Sequence, residues 1–121
     1  MRRSKTILRW IVALALVVAA FAGGPGFRTQ HLLEEHYARY RPEFGAISQE
    51  QYLRYAQQLR DSRPGKFVLE SRRADHGGAK FDKRRGWFVA YDADGTIRTF
   101  FIPKDGVRYF ERQAKTSTLP E

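Results

Sequence analysis

The rhythm of apolar and polar positions changes three times along the chain. From Trp10 to Ala22 thirteen residues run without a polar side chain, and Gly23-Gly24-Pro25-Gly26 then breaks any helix. Beyond that break the spacing becomes helical. Thr29 is placed to cap a helix running to about Tyr40, in which Leu33, His36, Tyr37 and Tyr40 share one face. Pro42 is expected to end it, because the residue before a proline is pushed out of the helical region. Ser48-Gln49-Glu50-Gln51 reads as a capping box for a second helix with a Tyr52, Ala56, Leu59 stripe, stopped by Ser62-Arg63-Pro64-Gly65.

From Lys66 the pattern alternates. Strands are predicted over 67–73, 79–82, 87–92 and 96–102, with turns at Asp75-His76-Gly77-Gly78 and Asp92-Ala93-Asp94-Gly95. Pro103-Lys104-Asp105-Gly106 is a further turn, and 107–113 reads as a short helix or strand. Helices grouped before strands predict an α+β domain: two N-terminal helices packed on one face of a four-stranded antiparallel sheet, preceded by a hydrophobic leader helix. The expected organisation is a leader over 1–22, one domain over 23–113 and a disordered tail over 114–121.

The leader carries Arg2, Arg3, Lys5 and Arg9 and no acid. Thirteen apolar residues fall short of the about 20 that a spanning helix needs and match the core of a signal peptide. Ala20-Phe21-Ala22 supplies the small residues a signal peptidase requires, so cleavage is expected after Ala22 and the product is expected outside the cytoplasm, periplasmic or secreted. The other reading is an uncleaved single-pass inner-membrane anchor from Ile7 through Gly24, with Arg9 snorkelling and the basic end held inside. Either way the membrane is met only through residues 1–22.

Removing the leader, whose four charges are all basic, brings the formal net charge from +9 to +5. That surplus sits between Arg60 and Arg85, where nine basic residues face Asp61, Glu70, Asp75 and Asp82. Clustered positive charge favours RNA or an acidic protein partner, or else serves as a solvated surface. The chain has no Cys, which excludes thiol catalysis and Cys-ligated zinc, and its length after the leader makes one modest core, expected as a monomer.

Conventional hydrolase signatures are missing from the pattern. His31 and His36 are five residues apart and diverge by about 140° on a helix, so they do not pair on a metal. No Gly-x-Ser-x-Gly elbow surrounds Ser48, Ser62 or Ser71, and no Gly-rich phosphate loop opens a helix. Neither cofactor nor metal is implied.

An ordered set of short motifs remains. Tyr40-x-x-Glu43-Phe44-Gly45 is followed by the capped helix with Tyr52 and Ala56, then Arg72-Arg73, Lys80-Phe81-Asp82, Trp87-Phe88-Val89, and Asp94-Gly95-Thr96-Ile97-Arg98-Thr99-Phe100-Phe101-x-Pro103. Together these resemble the C-terminal domain of colicin D and the related tips of polymorphic toxins, small ribonucleases of the barnase, EndoU, colicin and RelE superfamily. The resemblance covers about Leu33 to Phe110.

It implies metal-independent cleavage of RNA, tRNA included, by attack of a ribose 2′-hydroxyl on its own phosphate, and an acidic immunity-type protein as partner. By the same resemblance the late-strand hydroxyl falls on Thr99, a basic neighbour on Arg39, and the acid-base His on Tyr40. His36, one turn before Tyr40 on the same face, is the imidazole within reach of that place. The implied site is thus His36, Tyr40 and Thr99 for catalysis, with Arg39, Arg72, Arg73, Lys80 and Arg98 holding the substrate. Arg72 and Arg73 point to opposite sheet faces, so at most one of them serves it.

Overall fold

The structure, a computed structural model, describes residues 23–117. The leader, its cleavage point and residues 118–121 lie outside the described residues.

Helix α1 (Gln30–Phe44) starts where Thr29 accepts a hydrogen bond from Leu32 N at 3.1 Å. It does not stop at Pro42. The proline lies in the last turn, where it forfeits a single backbone bond, and Phe44 beyond it is drawn into the core against Tyr52, Trp87 and Phe100. Gly45 then closes the helix at φ 77°, a conformation that favours glycine. Helix α2 (Gln49–Asp61) begins with the reciprocal box: Gln51 N donates to Ser48 Oγ and Ser48 N to Gln51 Oε1, both at 3.1 Å.

Strands β1 (Val68–Arg72), β2 (Gly78–Asp82), β3 (Trp87–Tyr91) and β4 (Ile97–Phe101) form an antiparallel sheet in chain order. In the first hairpin turn the residue with positive φ is His76, at 69°. In the β3–β4 turn Gly95 takes φ 90° and Asp94 accepts from Thr96 N at 2.9 Å.

One face of the sheet carries Val89, Tyr91, Ile97 and Phe100, packed under Leu33, Tyr52, Ala56 and Leu59 of α1 and α2. The other face is covered as well. Helix α3 (Val107–Ser117) lays Val107, Phe110 and Ala114 over Ala79, Phe81 and Phe88. The sequence reading placed helices on one face only and a disordered tail from 114; the sheet instead lies between helical layers, and residues 114–117 are helical. Composition explains the second cover. Trp87-Phe88-Val89-Ala90-Tyr91 has an apolar side chain on both sides of the strand, and every residue of β2 is buried.

Two details position the candidate site. The β3–β4 ladder slips by one residue: Tyr91 pairs with Ile97 and Ala90 with Thr99, leaving Arg98 as the extra residue of a bulge. Ahead of α1, Phe27 bridges Ile97 in parallel and Ile97 N donates to Gly26 O at 2.9 Å. The buried Arg60 clasps this segment, donating to the carbonyls of Gly23, Pro25 and Gly95.

Candidate functional site on the outer edge of the sheet

His36 and Tyr40 stand half-buried on α1. His36 Nδ1 lies 2.8 Å from Leu32 O. A carbonyl only accepts, so the neutral imidazole carries its proton on Nδ1 and leaves the Nε2 lone pair available to a substrate. The ring packs on Phe27, centroids 4.8 Å apart, and on Tyr40 at 6.1 Å. Tyr40 stacks on Phe101 at 5.1 Å, and Phe101 meets the edge of Tyr109 at 5.2 Å. A path of rings therefore runs from α1 past the outer edge of β4 to α3. Burial pushes the Tyr109 phenol up, and the neighbouring Tyr40 adds to the shift. Arg39, exposed beside this path, lies 5.9 Å from the Tyr40 ring.

At the far end of the path a cavity of about 260 Å³ opens between α3 and the sheet. Because Arg98 and Thr99 share the bulge, both line it, together with Ser71, Arg73 and Tyr109. Three guanidinium groups gather beside it on one carboxylate: Asp92 is 3.4 Å from Arg28, 3.4 Å from Arg98 and 3.9 Å from Arg73. Asp75 pairs with Arg73 at 3.3 Å, and its carboxyl is held low chiefly by the Gly77 N–H. With Asp94 also near Arg28, three cations stand against three carboxylates and the cluster is balanced in charge.

No protein-family model matches the chain, and no curated protein matches it.

The residues singled out in the sequence thus fall into three groups. His36, Tyr40 and Arg39 stand on α1; Thr99, Arg98 and Arg73 line the cavity; Arg72 and Lys80 lie apart from both, and Phe101 and Tyr109, not among the predicted residues, connect the first two groups. No hydrogen bond joins His36 to Thr99 or to the arginines among the described residues. Arg72 and Lys80 lie on the opposite face of the sheet, along a separate polar pocket of about 380 Å³. Lys80 is buried and donates to Arg60 O and, at 2.6 Å, to Ser62 O, which terminates α2. Burial lowers its pKa. Arg72 is exposed and pairs with Glu70 at 3.5 Å.

The basic stretch is also divided. Arg60 and Lys80 are internal and Arg73 ties the hairpin to Tyr91 O at 2.6 Å, while Arg63, Lys66, Arg72, Lys83, Arg84 and Arg85 stay exposed. Arg84 sits 3.5 Å over the exposed Phe67 ring. Sequence reasoning missed Tyr109 and Arg28. Tyr109 gave no signal because 107–113 was ambiguous between helix and strand. Arg28 falls between the Gly23–Gly26 break and the Thr29 cap, and the neighbouring Phe27 bridge to Ile97 brings it to Asp92.

Proposed function

We propose that the chain is an exported, ribonuclease-like toxin domain that cuts RNA, tRNA among its substrates, without a metal. This reading includes a leader helix over 1–22 removed after Ala22, a working body from Gly23 through helix α3, and an acidic immunity-type partner. The observation that carries the chemistry is the His36 imidazole, whose Nδ1–H is anchored on Leu32 O so that Nε2 is the basic atom. In the reaction, Nε2 takes the proton of a ribose 2′-hydroxyl as its oxygen attacks the adjacent phosphorus. The bond to the 5′-oxygen breaks, leaving a cyclic phosphate and a 5′-hydroxyl. The leaving 5′-oxygen takes its proton from the Tyr40 hydroxyl and Arg39 beside it stabilises the developing charge, while Thr99, Arg73 and Arg98, in the cavity at the far end of the ring path, hold a flanking part of the RNA.

The test is incubation of the exported chain with total tRNA in the presence of a chelator. Cleavage is expected to persist there and to fall about 10²–10⁴-fold in His36→Ala, the range for loss of an acid-base group. Absence of cleavage by the unaltered protein at micromolar concentration overturns the reading.

A second reading, a non-catalytic envelope module for an acidic partner, is favoured by Tyr40 at the acid-base position and by the exposed Arg84 and Phe67 patch at the start of β1. Tyr40→His separates the two. A gain of RNA cleavage marks a degenerate nuclease site, and no gain supports a binding module.

A further inference from the structure

The second face of the sheet is built from two cross-strand rows of opposite size. Leu69, Phe81, Phe88 and Phe101 pair in one row, and Ser71, Ala79, Ala90 and Thr99 pair in the next. The large row is filled by the first turns of α3, with Phe110 and Tyr109 on Phe88. Over the small row the same helix presents Gln113 and Ala114, and no side chain among the described residues fills the space, which is the cavity of about 260 Å³. Interiors are packed at close to crystal density, so four consecutive small side chains opposite a helix leave a slot where a core would place Leu or Phe.

From this juxtaposition we propose that the slot holds one nucleobase of a bound RNA, with its phosphate on Arg98. This rests on the ribonuclease reading above and supplies the specificity-determining subsite that reading lacks. The shape suits a planar ring: the two alanine methyls make a flat apolar floor and the Tyr109 ring a wall. The chemistry suits a base edge. Ser71 and Thr99 bring a hydroxyl to each end of the row, each able to donate and to accept, and Gln113 lines the same cavity with an amide. Arg98, half-exposed at the mouth, lies where the backbone phosphate of that nucleotide would leave the slot. The size is below the about 300 Å³ at which pockets for drug-sized ligands begin, in keeping with a single ring system.

The experiment titrates the full chain with AMP, GMP, CMP and UMP, and with ribose 5-phosphate as the base-free control, followed by amide chemical shifts. At least one nucleotide is expected to shift the resonances of Ala79, Ala90 and Thr99, and ribose 5-phosphate to leave them in place. Ala90→Leu on the floor is expected to weaken that nucleotide at least tenfold. Should Ala90→Leu fail to fold, Ala114→Leu fills the slot from the helix side and is expected to do the same.

If no nucleotide shifts the floor residues, or the base-free control shifts them equally, or neither leucine weakens binding, the subsite is overturned. Base-dependent binding in a protein that cuts no RNA keeps the slot and removes the catalytic reading. RNA cleavage without base-dependent binding does the reverse.

Discussion

Tyr52 is fully buried at the junction of both helices and the sheet, and its hydroxyl donates to Phe100 O. Burial pushes its phenol far above the ordinary value, with Tyr40 and Glu43 adding to the shift. An unfolded tyrosine ionises near pH 10, while the folded one resists until well above it. The stabilisation is therefore complete below about pH 10 and declines as pH rises further, because only the unfolded chain gains the favourable ionisation. Tyr91 and Tyr109 shift the same way and add to the slope. Urea unfolding across this range is expected to show the alkaline loss, and Tyr52→Phe to flatten it. At neutral pH the same variant is expected to cost about 1–2 kcal/mol, the worth of the lost hydrogen bond with its carbonyl left buried. Arg60→Ala, which strands three carbonyls at once, is expected to cost roughly 3 kcal/mol in the same assay.

The elements differ in how openly the sequence declares them. Helix α2 was plain from its capping box alone, and the first and last of the three hairpins from their turn residues, because those signals are local and chemical. Three features were not plain, and each depends on a distant partner. Helix α1 passes Pro42 because Phe44 is wanted in the core. Helix α3 exists because β2 and β3 leave a second apolar face to cover. The bulge at Arg98 shows only in pairing, since Thr96 to Ile102 alternates acceptably by itself. Phe110 is the side chain that most directly joins α3 to the sheet, so Phe110→Ala is expected to destabilise by about 3 kcal/mol in chemical denaturation. Ser48→Ala, which opens the box of α2, is expected to cost about 1 kcal/mol. Of the candidate site, the helix and strand positions were readable separately. That His36 and Thr99 are linked through Phe101 and Tyr109 was not, because the link is made of residues far apart in sequence.

At the level of the whole molecule, the basic surplus that looked like one patch serves two purposes. Arg60, Arg73 and Lys80 bind carbonyls that hold helix, hairpin and N-terminal segment together, and the remaining cations face solvent. Any attraction for RNA or an acidic protein therefore rests on the outer set, and its strength is expected to fall steeply with added salt, measured as the affinity for tRNA at increasing ionic strength. N-terminal sequencing of the exported product is expected to begin at Gly23, and an intact leader would favour the anchor. The clasp of Arg60 on Gly23 bears on either fate. Gly23 is gripped by the folded body, so the described part of the chain has no slack at that end. If residues 1–22 are a cleaved leader, that grip leaves a peptidase only the interval before folding in which to reach the bond ahead of Gly23.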